Sequence, residues 1–256
     1  MGGAAPVLTR FRAIALATVV TALAVWGTVA ADLPALRESL AVAAAALVVL
    51  PAFTLAIWLA LPLARSRATW LLIAAAVAGG LWVAFYFADF EIASNISKLS
   101  CFVLVGLWFL SLFEFLWWLS LVALLVPWVD VWSVAFGPTR YVTEEQPQFF
   151  DSVSIALHVP GQTATANIGP PDIVFFALFL AAAQRFHLRI AWTWICMTGF
   201  LSLTLALVWI LDSSGLPALP AVCLGFLVPN ADLLWTNVRE AWAAYAAKRA
   251  QEAKSA

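Results

Sequence analysis

Residues 167–184 read NIGPPDIVFFALFLAAAQ, an apolar run with a single carboxylate, Asp172, at its head. Nothing polar interrupts the stretch from Ile173 to Ala183, so it predicts a helix, over 171–186, that is apolar on every side. A carboxylate at the start of a membrane helix costs roughly 2.5–3.5 kcal/mol to insert, so it is rarely idle. Proline suits the first turn of a helix, so Pro171 fits the entry to this one.

The remaining chain identifies the surroundings of this helix as lipid. Of its 256 residues 64% are hydrophobic and 11% charged, with a mean hydropathy of +0.98. Soluble domains average about 45–50% apolar and about 25% charged residues. No basic stripe exists beyond a short C-terminal tail, so nucleic acid is not an expected partner. Cys101, Cys196 and Cys223 lie singly in apolar runs without C-x-x-C spacing, and they read as packing residues. Neither a metal nor any other cofactor is implied.

A crossing needs about 20 mostly apolar residues. Eight segments qualify: 13–31, 40–63, 69–88, 97–113, 116–136, 171–186, 190–211 and 216–235. The fold class expected is therefore all-α, a polytopic membrane helix bundle of about eight transmembrane helices. The first segment has the basic start and small residues of a secretory signal, but its length suits a retained span. Pro51 and Pro127 are expected to kink their helices, which a bundle tolerates. Glu114 falls at a turn between two spans and reads as solvated.

Lysine and arginine set the orientation. With the N-terminus inside, Arg10, Arg12, Arg65, Arg67, Arg185, Arg189, Arg239, Lys248, Arg249 and Lys254 are cytoplasmic, and only Arg37, Lys98 and Arg140 are outside. That bias places both termini in the cytoplasm and suits a bacterial inner membrane. Three regions follow: N-terminal helices over 1–114, a region over 115–235 that holds the intramembrane acids, and a tail over 236–256 read as a solvated helix. The segment 137–170 is then the one long extracytoplasmic loop. Within it SVSIALHV (152–159) alternates, with Val153, Ile155, Leu157 and Val159 on one side, as a strand does. Pro160 and Gly161 suit a tight turn, and TATANI supplies a return strand, giving a small β-hairpin before Asp172.

Asp172 has one good candidate partner. Asp232 lies near the cytoplasmic end of the last span and reads as interfacial. Asp130, six residues before Phe136, sits about 9 Å below the outer end of its helix at about 1.5 Å per residue. Asp172 reaches a similar depth if residues 168–171 run extended at about 3.3 Å per residue. Two close carboxyls cannot both ionise cheaply, so they share a proton and titrate as a unit. The ionised member can activate water while the protonated one polarises a peptide carbonyl, the arrangement of aspartic proteases. There is no H-E-x-x-H for a zinc enzyme, and His158 and His187 fall in loops, away from any intramembrane serine.

VPWVDVWSVAFGPTRYVTE (126–144), IGPPDIVFF (168–176) and GLPALPAVCLGF (215–226) occur in that order, each at a span edge or within a span. This pattern resembles the presenilin and signal peptide peptidase family of GxGD-type intramembrane aspartyl proteases, over roughly 115–235. In that family one helix carries a Tyr-Asp pair, the next opens with Gly-x-Gly-Asp, and the last begins with Pro-Ala-Leu. The resemblance implies that Asp130 and Asp172 are the catalytic dyad. Pro217, Ala218 and Leu219 would be the Pro-Ala-Leu element, and Gly169, Pro170 and Pro171 would shape the approach to Asp172. Two positions depart from the pattern: Val129 stands where the family has tyrosine, and Pro171 where it has the glycine before the aspartate. The family's nine spans also exceed the eight read here.

The derived orientation matches signal peptide peptidases rather than presenilins. The implied partners, besides the lipid bilayer, are transmembrane peptide substrates of N-in, C-out polarity, including leftover signal peptides. Two other readings stay open from the residues alone. Pro171 motivates an inactive presenilin-like scaffold, and intramembrane carboxylates also mark small proton-coupled transporters.

Overall fold

The computed structural model describes residues 8–34, 36–158, 165–211 and 216–255. Seven of its helices are long and apolar enough to cross a membrane, which makes the chain an all-α helical bundle of integral-membrane character. They begin with α1 (Arg10–Val29) and a continuous rod over Glu38–Arg65 that contains α2 (Glu38–Ala44) and α3 (Leu50–Ala60). Then come α4 (Ala68–Phe87), α5 (Glu91–Phe109) and α6 (Leu116–Phe136). After an intervening segment, α10 (Ile190–Ile210) and α11 (Leu219–Ser255) complete the seven, and α9 (Pro170–Arg185), at 16 residues, precedes them as a shorter apolar helix.

The helix that opened the sequence analysis is the hub. α9 packs against α3, α5, α6, α10 and α11, and every residue from Phe176 to Ala183 is buried. Its uniform apolarity is the reason, since a helix with no polar face can be covered on all sides. With 16 residues it is about 24 Å long at about 1.5 Å per residue, short of the roughly 30 Å hydrocarbon core. Small residues bring its neighbours close. A Cβ on Gly106 of α5 would lie 2.5 Å from the Val174 carbonyl oxygen and 2.8 Å from the Ala177 Cβ of α9. The main buried cluster extends from Val49 to Leu234 and so runs across the 114/115 boundary, with a small second cluster at Ala41 and Ala45.

The rod shows how proline acts in a bundle. Pro51 has no N–H, and just before it the chain widens into a π turn over Ala45–Val49. The Leu50 N–H bonds Ala45 instead of Ala46, and the Ala46 carbonyl accepts from Ser202 Oγ at 2.6 Å. The polar gap is thus closed by α10. Pro127 lies inside α6.

Three segments differ from expectation. α5 starts at Glu91 rather than 97, so Lys98 belongs to a helix and not to an outer loop. It is buried, with Nζ donating to the Ser154 carbonyl at 2.9 Å. Second, the loop after α6 is helical over much of its length, as α7 (Pro138–Glu145) and α8 (Pro147–Val153). Each opens on a proline, the residue preset for a first helical turn. Third, α11 begins three residues later than expected and continues unbroken through the tail to Ser255.

Strand β1 (Ile155–His158) pairs antiparallel with β2 (Thr165–Ile168), with Ile155 opposite Ile168 and His158 opposite Thr165. The expected alternation holds where it counts, since Ile155 and Leu157 are buried. Val153 instead closes α8, and Val159 with the Pro160–Gly161 turn lies outside the described residues. The hairpin is fastened to the bundle. Trp26 Nε1 donates to the His158 carbonyl at 3.0 Å, and Asn167 Nδ2 donates to Asp151 Oδ1 at 2.8 Å.

At the opposite end Asp232 forms an exposed bidentate pair with Arg189 at 2.7 and 2.8 Å. Buried Asn230 beside it accepts from the Arg189 N–H at 3.0 Å and donates to Thr193 Oγ1 at 2.8 Å, joining α10 to α11. Glu114 is exposed in the turn before α6, as expected.

Candidate active site

Asp130 projects from the C-terminal half of α6, and Asp172 from the first turn of α9. Both are half-buried, and their carboxylates lie within electrostatic reach of one another. The start of α11 completes the cluster. Leu219 is its first residue, and its backbone N–H donates to Asp130 Oδ2 at 3.1 Å.

Each carboxylate is held by the start of a helix. Ala218 occupies the cap position of α11, where its carbonyl accepts from the Ala221 N–H at 3.0 Å. Alanine has no side-chain oxygen to satisfy the first amides of the helix, and Pro220 has no amide to satisfy. Asp130 supplies the missing acceptor from the neighbouring helix. The Pro-Ala-Leu run thus has a physical task here, which is to point one amide at one acid.

Asp172 does the same for its own helix. Gly169 is the cap residue of α9, with φ −68° and ψ 150°, and Asp172 stands three positions on. Its carboxylate turns back to accept from the Gly169 N–H, the acidic half of a capping box. The extended approach is shorter than expected: β2 ends at Ile168, Gly169 is extended, and the helix starts at Pro170. Pro170 and Pro171 fill the first two helical positions, whose amides would have no partner in any case. The departure from glycine at 171 therefore fits the local backbone.

Gly169 is needed for room rather than for conformation. Its dihedrals suit any residue, but an added Cβ would lie 3.2 Å from Asp172 Oδ2. Val129, the other departure, is 65% exposed on α6, on the bundle's outer surface.

One member of the cluster was not anticipated. Cys223, fully buried, lies within electrostatic reach of both Asp130 and Asp172. It follows Leu219 by four residues, so the two share a helix face that looks onto the acids. That spacing was its only signal. Among the described residues no group of His, Cys, Asp and Glu is arranged to hold a metal ion. The chemistry within reach of these side chains is proton transfer between paired carboxyls and a water or substrate oxygen.

No protein-family model, curated protein or solved structure matches the chain.

Proposed function

We propose that the protein is an intramembrane aspartyl endopeptidase of the presenilin and signal peptide peptidase type. The observation that carries this reading is the convergence of Asp130, Asp172 and the Leu219 amide from three helices. One carboxyl, ionised, takes a proton from water as it attacks the scissile carbonyl. The other, protonated, donates to the carbonyl oxygen, and the roles reverse when the amine leaves. α9 would act as an eighth, shortened crossing, with its missing length made up by the extended residues before it. Both termini would lie on the arginine-rich, cytoplasmic side of a bacterial inner membrane. Substrates would be single-span helices of N-in, C-out polarity or leftover signal peptides. Main-chain pairing with the β-hairpin would unwind them. Since β1 is fastened to α1 and α5, β2 would be the receiving strand.

The test is purified protein in detergent with a labelled type II single-span peptide. Cleavage within the apolar segment, blocked by a peptide isostere carrying a hydroxyl in place of the scissile carbonyl, is the expected result. A peptide left intact under conditions where the protein remains folded would refute the reading and favour the scaffold. Gly169→Ala probes the site more finely. Its backbone strain is nil, so thermal stability should be equal or raised by up to about 1 kcal/mol. The methyl group presses on the Asp172 carboxylate, and turnover should fall about tenfold or more. Unchanged turnover in this variant would remove Asp172 from the reacting centre.

A further inference from the structure

The end of the bundle opposite the hairpin holds a cavity of about 390 Å³ between the rod, α4, α5 and α9. This is within the range of small-ligand sites. Its polar lining is Arg65, Ser66, Ser111, Gln184, Arg185 and His187, and none of its lining residues is acidic. Leu110 and Ala181, both buried, make an apolar floor.

Three features mark this cavity as built for an anion. Arg185 spends one donor on the Leu110 carbonyl at 3.0 Å, but among the described residues neither it nor Arg65 has an ion-pair partner. The N-terminus of α4 adjoins it, between lining residues Ser66 and Leu71, and has no capping side chain. The positive end of its dipole favours negative charge nearby.

The third feature is His187. It follows the last residues of α9 with φ 55°, in the left-handed position that closes the helix, where the Leu188 N–H bonds the Ala183 carbonyl at 2.9 Å. Glycine adopts that conformation freely, whereas histidine adopts it under strain. Of the two left-handed non-glycine residues among those described, Asp89 and His187, it is His187 that lines the cavity, and strain of this kind collects at ligand sites.

We propose that the cavity binds the phosphate diester headgroup of an anionic membrane lipid. Arg65 and Arg185 receive the phosphate beside the positive end of α4, and the glycerol and first methylenes lie on the apolar floor. Free phosphate would use the same donors but not the floor. The position is appropriate, because this is the end where Arg65, Arg67, Arg185 and Arg189 gather and where anionic headgroups would meet it.

The test uses the full chain in a non-ionic detergent, titrated with short-chain phosphatidylglycerol, phosphatidylcholine or inorganic phosphate and followed by thermal melting. Phosphatidylglycerol should raise the melting temperature of the wild type well beyond the other two. Arg65→Gln removes a side chain without a bonded partner and should need about fivefold more phosphatidylglycerol for half the shift. Arg67→Gln, exposed and outside the cavity, should behave as wild type. His187→Gly should melt higher without lipid, because the strain is gone, yet respond less to phosphatidylglycerol. Equal responses to phosphatidylglycerol and phosphatidylcholine would overturn the proposal. So would equal losses in Arg65→Gln and Arg67→Gln, which would mean diffuse surface attraction. Full stabilisation by inorganic phosphate would overturn the lipid assignment.

Discussion

Asp130→Asn and Asp172→Asn should each abolish peptide cleavage while leaving the fold in place. The expected loss is at least about 10²–10⁴-fold, the contribution of a positioned acid or base. Asparagine is the informative substitution because its side-chain oxygen can still accept from the Leu219 or Gly169 amide. What it cannot do is carry the shared proton. Alanine separates the two roles. Asp130→Ala leaves the Leu219 N–H without its acceptor, so it should also lower stability by about 0.5–2 kcal/mol, as loss of a helix cap does. Asp130→Asn should melt closer to wild type than Asp130→Ala. Cleavage by either asparagine variant within about tenfold of wild type would rule out the dyad as the reacting pair.

The second large effect is expected at Gly106→Val, where α5 meets α9. Its Cβ alone would stand 2.5 Å from the Val174 carbonyl and 2.8 Å from the Ala177 Cβ. Both contacts belong to rigid parts of α9, so the helices must separate. Overpacking of this kind costs about 1–3 kcal/mol or more, and valine adds two further methyl groups. Val174 lies two residues after Asp172, so the separation should also move the carboxylate and lower turnover. Gly80→Ala in α4 is the control, since a Cβ there meets nothing within 4 Å. That change should be neutral or stabilising by up to about 1 kcal/mol, from helix propensity alone. Thermal melting of both variants checks the argument, and a Gly106→Val protein as stable as wild type would show that α5 and α9 do not meet so closely.

What could be read from the sequence divides along physical lines. The burial of α9 was legible because a run without a polar face has only one stable environment. The pairing of Asp130 with Asp172 was expected from rise per residue with residues 168–171 extended, whereas α9 starts at Pro170, and the capping turn that holds Asp172 was not anticipated. Leu219 is different: the motif named the residue, but its contribution is a backbone amide, and backbone donors have no sequence signature. Lys98 was misplaced because EIASNISK has the composition of a loop. The Lys98 ammonium is satisfied by the base of the hairpin, a tertiary partner that local composition cannot announce. α7 and α8 were missed for a related reason, being short and lacking apolar periodicity. Cys223 became significant only once the helix beneath Leu219 was known to face both acids.

The surroundings of α6 and α9 differ in a way that bears on how the site would respond to its membrane. The central part of α9 is sheathed by protein, whereas only 17% of the apolar window of α6 is buried. Acyl chains of different length therefore pull on the helix of Asp130 and leave that of Asp172 where the bundle holds it. Under the proposed protease reading, bilayer thickness would become a coordinate of that reaction, expressed as slippage between the two acids. Turnover in vesicles of graded chain length should pass through a maximum at the thickness that brings them level.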